Sequence, residues 1–298
     1  MTTTPSSPSP SSPSPESHTL SVPGATLTYD VRPGSGGGAP LLLVGSPMSA
    51  AGFVSLASHF TDRTVITYDP RGVDRSSRTD GATELTPEEH AEDLRAVVEA
   101  VGAEEIDVFA SSGGAVNALA LVARHPALIR TLVAHEPPLA EALPDRDIAL
   151  RIFADMRETY LRDGFGAGMA KFLAVVAHKG PFPENWTDGP APDPAAFGLP
   201  TEDDGSRDDA LLGQNMRGCT GYRPDFDALR AASTRVVIAA GRESENEMTA
   251  RAAAGVAERL GLDLAWFPSH HGGFLGGEFG QQGKPAEFAK ALRAALES

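Results

Sequence analysis

Short apolar runs and amphipathic stretches alternate along most of this chain. Ala25–Val31 alternates apolar and polar positions and predicts a strand. Leu41-Leu42-Leu43-Val44 is continuously apolar, the pattern of a strand covered on both faces. Gly52–Phe60 predicts a helix, and Thr64–Tyr68 predicts a strand. Thr86-Pro87-Glu88-Glu89 reads as a helix start, with a capping Thr, Pro at the first helical position and Glu three residues after the cap. Leu94, Val97, Val98 and Val101 then share one face of that helix. Strand Ile106–Phe109, helix Val116–Arg124 and strand Thr131–Ala134 follow. Near the end come strand Arg235–Ala239, helix Glu245–Leu260, strand Leu262–Phe267 and a helix with Phe288, Leu292 and Leu296 spaced by four. Such alternation predicts an α/β fold, a mostly parallel, doubly wound sheet with helices on both faces.

The middle of the chain breaks this rhythm. Ile148, Ile152, Met156 and Tyr160 mark one amphipathic helix, and Phe165, Met169, Phe172 and Val176 mark another. A Pro/Gly/Asp-rich stretch, 181–209, separates them from Leu211–Met216. The pattern predicts a helical insertion over 139–233, lying as a lid on the carboxyl edge of a sheet built from 18–138 and 234–298. Residues 1–17 are almost all Thr, Ser and Pro, have nothing to bury, and are expected to lack structure.

Bulk properties narrow the function classes. The net charge of −15 argues against nucleic acid and anionic membranes as partners, because both need clustered Lys and Arg. No stretch approaches the roughly 18 apolar residues of a membrane-spanning helix. A single cysteine, Cys219, excludes a disulfide framework and reads as a small hydrophobe of the lid region. The tail lacks the basic start and apolar run of a secretion signal, so a cytoplasmic location is expected.

Candidate chemistry centres on Ala110-Ser111-Ser112-Gly113-Gly114, small residues between a predicted strand and helix. A tight turn there pushes one serine hydroxyl out above the sheet, as in a nucleophile elbow. Together with Leu43-Val44-Gly45-Ser46-Pro47, Asp69-Pro70-Arg71-Gly72 and a late histidine, this resembles the α/β-hydrolase superfamily over roughly residues 20–298.

That resemblance implies a serine hydrolase, and the residues select its members. Ser112 has Ala110 and Gly114 two residues either side, whereas Ser111 would need Phe109 in the crowded turn; Ser112 is favoured. Serine needs a base to take its proton. In Ser269-His270-His271-Gly272-Gly273-Phe274 the family pattern places the base shortly before a Gly-Phe pair, which selects His271 over His270. The usual acid position, a few residues past Arg235–Ala239, departs from the family. In Gly241-Arg242-Glu243-Ser244-Glu245 serine stands where Asp usually does, and Ser244 with Glu247 reads instead as a capping box. A second position known in the superfamily, resembling the zearalenone-lactonase branch, falls on Glu136 in His135-Glu136-Pro137-Pro138. Glu136 is therefore the expected acid, with Glu243 as the alternative. Backbone N–H groups of Ser46 and Gly113 are expected to form the oxyanion hole.

Two smaller departures are Val44, where the family usually has His, and Asp74, where it often has Gly. Asp69 and Arg71 are expected to pair behind the loop. Met48, Phe53, Phe153, Met156, Phe172 and Trp186 are candidates for an apolar pocket. The implied activity is cleavage of a carboxylic ester or lactone of a small to mid-sized apolar molecule through an acyl-enzyme, with no metal or organic cofactor. A serine in the elbow argues against the epoxide-hydrolase and dehalogenase members, which use Asp. Alternatives are a cofactor-free lyase or perhydrolase on the same residues, or a non-catalytic ligand-binding member of the fold.

Overall fold

A computed structural model describes residues 14–298, and every structural statement below refers to those residues. The strands are β1 (Glu16–Val22), β2 (Ala25–Arg32), β3 (Leu41–Val44), β4 (Val65–Asp69), β5 (Ser77–Arg78), β6 (Asp107–Ser111), β7 (Thr131–His135), β8 (Arg235–Gly241) and β9 (Ala265–Phe267). They form one sheet in the order β1-β2-β4-β3-β6-β7-β8-β9, with the short β5 paired to β2. From β4 to β9 neighbours run parallel; β1, β2 and β5 supply an antiparallel edge.

The parallel strands alternate with strict period two. Leu42, Val44, Val108, Ala110, Leu132, Ala134, Ile238 and Ala240 pack on one face. Leu41, Leu43, Phe109, Val133 and Ala239 pack on the other. Helices cover both faces, which is why the runs read as continuously apolar. One face is covered by α2 (Pro87–Val101), α3 (Gly113–Arg124) and α8 (Met248–Leu260). The other is covered by α1 (Val54–Ser58) and α9 (Pro285–Glu297). The Thr86 capping box on α2 is present in full, with Thr86 Oγ1 accepting from Glu89 N and a Glu89 carboxylate oxygen accepting from Thr86 N.

Several boundaries differ from the sequence reading. β1 takes in Glu16 and Ser17, the last two residues of the stretch expected to lack structure, because β2 offers its free edge to them; residues 1–13 lie outside the described residues. Gly52–Phe60 divides into a 3-10 turn, Ala50–Phe53, and α1. β9 begins at Ala265 rather than Leu262, since its register with β8 starts at Ala239↔Ala265.

Between β7 and β8 lie α4 (Arg146–Asp163), α5 (Phe165–Ala177), α6 (Met216–Thr220) and α7 (Phe226–Ala231). α4, α5 and α6 share an apolar core of their own around Ile152, Met156, Tyr160, Val175 and Met216, joined by Met248 and Ala252 of α8. Leu211–Met216 is not an ordinary helix: Ala210–Asn215 winds as a π-helix and continues directly into α6. α7 differs from the lid expected there, since its Leu229 is buried in the main core with α3. No helix is long and apolar enough to cross a membrane.

Buried ion pairs pin the loops at both ends of the central strands. Asp69 and Arg71 do not pair with each other, contrary to expectation. Asp69 accepts from Ala50 N at 2.9 Å and from Arg75 Nε at 2.6 Å. Arg71 binds Asp93 of α2 through two bonds of 2.6 Å, because its side chain points back toward that helix. Asp74, at the position where the family often has Gly, sits at φ 49°, a conformation that glycine adopts without strain. At the amino end of β6, Asp107 is fully buried and accepts from Arg63 Nη2 at 2.6 Å and from Arg130 Nε and Nη2 at 2.9 and 2.6 Å. Removing the carboxylate leaves the buried Arg63 without a counter-charge, with only the carbonyls of Ala39 and Pro40 to accept from it. Asp107→Ala is predicted to cost about 3 kcal/mol in urea unfolding, the lower end for a broken buried pair because Arg130 remains partly solvated.

Candidate active site

The elbow is built by the change from β6 to α3. Ser111 ends the strand, Gly113 begins the helix, and Ser112 between them takes φ 56° and ψ −128°. Positive φ costs a non-glycine residue about 1–3 kcal/mol and persists only where neighbours enforce it. Two close approaches do so. A Cβ at Gly114 would lie 2.5 Å from the Val44 carbonyl oxygen, and one at Gly113 would lie 2.5 Å from that of Ser46. The start of α3 therefore rests directly on the loop after β3. Ser112 N also donates to the His135 carbonyl at 2.9 Å, tying the elbow to the end of β7.

The two adjacent serines have different surroundings. Ser112 lines a cavity of about 440 Å³ between the sheet's carboxyl edge and the helices above it. Ser111 is buried, with its Oγ 3.0 Å from His135 Nδ1. His271 lines the same cavity as Ser112, together with Ser46 and Gly113. The N–H of Gly113 opens α3 and so has no acceptor within the helix.

Glu136 lies behind His271. It has no solvent exposure, and its backbone takes φ 48° immediately after β7, so the side chain turns back beneath the histidine. Its Oε2 lies 2.5 Å from His271 Nδ1 and accepts from Thr249 Oγ1 at 2.7 Å. Its Oε1 accepts from Gly241 N at 2.8 Å and from Ser244 Oγ. Burial alone would raise the pKa of this carboxyl. The hydrogen bond and charge of His271, with further help from His135 and Ser244, outweigh it and hold the group well below the ordinary carboxylate value. For His271, burial acts downward but is overcome by the bond to Glu136 and the charges of Glu136 and Glu247, so its pKa rises above 6.5.

The alternatives raised by the sequence lie elsewhere. Glu243 is exposed and pairs with Lys284 Nζ at 2.6 Å. His270 also lines the cavity, but its Nε2 lies 3.2 Å from the Gln282 carbonyl and its Nδ1 accepts from Gly272 N. Ser244 does not cap α8, which begins at Met248 with Glu247 as its cap residue; its hydroxyl serves Glu136 instead. The signal was present in the sequence, a serine where the family places its acid, yet it pointed equally to a helix start. Thr249 and His135 carried no such signal.

Phe153 and Phe172 line the cavity as anticipated, with Leu211, Met216 and Cys219 beside them. Met48, Phe53, Met156 and Trp186 do not. Phe53 stacks on Phe274 in the core, Met156 is fully buried in the lid core, and Trp186 packs on His178 and Phe182. Met48 fills the space over Gly45 and Gly52. Burial pushes the Cys219 thiol up to about 12, so it stays protonated and is no rival nucleophile.

His135 is fully buried among Phe109, Phe267, Phe274 and Phe288, and its ring stacks on His271 at 6.0 Å between centroids. Its pKa falls from 6.5 to about 4, burial and the nearby His271 outweighing the charge of Glu136. In the unfolded chain this imidazole takes a proton below about pH 6.5, and in the folded chain it does not until about pH 4. Folding stability contributed by His135 is therefore lost as pH falls through that interval. His271 works in the opposite sense, since its raised value favours the folded state at low pH. Comparing urea unfolding at pH 7 and pH 5, wild type is predicted to lose more stability than His135→Gln, which lacks the buried titrating ring.

Known proteins place this geometry in a wider setting. The chain is 28% identical over 271 residues to the uncharacterized hydrolase YraK of Bacillus subtilis (strain 168), a match covering 86% of this chain and 89% of that one. Its fold is similar to that of Est816, a protein described as an N-acyl homoserine lactone degrading enzyme, with a TM-score of 0.61 at 19% identity over 93% of this chain and 99% of that one. It is likewise similar to proline iminopeptidase of Mycobacterium smegmatis, with a TM-score of 0.59 at 17% identity over 95% and 98% of the two chains. At such identities these two likenesses are ones of fold. The model of the alpha/beta hydrolase fold matches residues 40–192. With more than half of its length in that match, and with an elbow serine and a late histidine on one cavity and a buried acid behind the histidine, the chain belongs to the α/β-hydrolase family.

Proposed function

We propose that this hydrolase cleaves a carboxylic ester or lactone of an apolar molecule through an acyl-enzyme formed on Ser112. The observation that carries this reading is the bond between buried Glu136 and His271 Nδ1, on a histidine that shares its cavity with Ser112. With Nδ1 committed to Glu136, Nε2 is the nitrogen left to act on the serine. His271 takes the proton of Ser112 Oγ as that oxygen attacks the acyl carbon. Glu136 fixes the imidazole's tautomer and stabilises its charged form. The N–H groups of Gly113 and Ser46 bind the oxyanion, where donors aimed at developing charge are worth about 10²–10³ in rate. The imidazolium then gives its proton to the leaving alkoxide, and a water deprotonated by the same nitrogen releases the acid. Apolar walls from Phe153, Phe172, Leu211 and Met216 support an uncharged acyl group. Similarity of fold to Est816 supports the lactone branch of the proposal.

The test is hydrolysis of p-nitrophenyl esters and of acyl homoserine lactones by wild type and variants. Ser112→Ala is predicted to lose at least about 10⁴-fold in kcat/KM, and Glu136→Gln about 10³–10⁴-fold. Glu243→Gln, which removes only an exposed ion pair, is predicted to stay within about twofold. Because the base must be neutral, kcat/KM of wild type should rise with pH through an apparent value above 6.5, and Glu136→Gln should move that limb downward. Wild type inert on every ester and lactone, or Glu136→Gln fully active, would overturn the reading. The first outcome brings a lyase or ligand-binding role forward, and the second removes Glu136 from the mechanism.

A further inference from the structure

We propose that the reaction cavity continues past a septum into a second cavity, which holds the far end of an unbranched chain too long for the first. The inference rests on the acyl-transfer reading for its substrate class, but the subsite itself rests on separate geometry. The second cavity, about 470 Å³, lies on the other side of Phe153, Met216 and Thr220, and those three residues also line the reaction cavity. Its remaining walls are largely apolar, with Leu150, Ala154, Leu161 and Leu212. Arg157 and Arg217, both held by Glu84, and the exposed Glu158 stand at its solvent-facing rim, so charge is confined to the mouth of this cavity.

The septum is made from material that yields. Met216 has an unbranched side chain with three rotatable bonds and a polarizable sulfur, and it adapts to irregular space. Its backbone follows the π-helix Ala210–Asn215, a strained winding common where a helix serves function. Consecutive residues of that π-turn face the two spaces, Leu211 the reaction cavity and Leu212 the second one. A chain leaving Ser112 along α6 therefore meets Met216 between two apolar volumes, and its unbranched side chain deforms more readily than the ring of Phe153, which lies in the same core.

Ala154 supplies the discriminating substitution. It is exposed on α4 and lines the second cavity without touching the first, so Ala154→Trp fills the far space from outside. The first readout is the ratio of kcat/KM for p-nitrophenyl dodecanoate to that for the butanoate. Burying several methylenes in the second cavity predicts a ratio well above one in wild type, a drop of about tenfold in Ala154→Trp, and an increase in Met216→Ala. A second readout is calorimetric binding of methyl dodecanoate and methyl butanoate to the Ser112→Ala protein, which needs no turnover. Stronger binding of the longer ester that is lost on adding Ala154→Trp upholds the subsite even where no ester is cleaved and the acyl-transfer reading fails. A length preference unchanged by Ala154→Trp, in a variant whose circular dichroism and thermal unfolding match wild type, overturns it.

Discussion

The arrangement of this protein depends on one buried carboxylate. Glu136 has no contact with solvent, and an ionised carboxyl in such a place is tolerable only when its oxygens are fully engaged. It meets that requirement with partners from three separate segments. Gly241 N and Ser244 Oγ come from the end of β8 and the turn after it, Thr249 Oγ1 from α8, and His271 from the loop after β9. Each of these bonds closes more than a hundred residues of chain. The same contacts that satisfy a charge therefore assemble the carboxyl edge of the sheet, and the histidine acquires its orientation as a by-product of that satisfaction.

Ser112, the proposed nucleophile, is positioned by a different means, close contact of backbone with backbone. Ser112 is held at positive φ because α3 begins against the carbonyls of Val44 and Ser46, and only hydrogen atoms fit at Gly113 and Gly114. Ser112 N donates to His135 O, and Glu136 N donates to Ala239 O, so the elbow, the acid and β8 form one hydrogen-bonded series across the sheet. Displacing any member moves the others. His135, sealed among four phenylalanines beneath this series, keeps the floor apolar and remains neutral to about pH 4.

Above this rigid edge the lid is packed separately. Its core around Met156 and Tyr160 joins the main body through Met248 and Ala252 of α8, the helix that also carries Thr249 to Glu136. Acid support and lid attachment thus share one helix. Much of the cavity wall that faces Ser112 comes from these helices and not from the sheet, so the shape of the cavity and the geometry of the elbow are set by separate elements.

The sequence alone determined the layered fold, because two-sided burial leaves continuous apolar runs such as Leu41–Val44 and caps such as Thr86 announce helices locally. It also favoured Ser112 over Ser111 for the elbow, since the crowding there is a nearest-neighbour effect that Phe109 would violate. Which carboxylate stands behind His271 was decided only by tertiary structure. Glu136 and Glu243 were both admissible along the chain, and what distinguishes them, full burial against a lysine-paired surface position, follows from how β7 and β8 lie side by side. For the same reason Ser244 reads along the chain as a helix cap although its hydroxyl donates to Glu136, and Asp69 and Arg71 read as partners although Asp69 binds Arg75 and Arg71 binds Asp93. Local spacing encodes backbone geometry; long-range hydrogen bonds and ion pairs are chosen by whichever partner the packed sheet brings within about 3 Å.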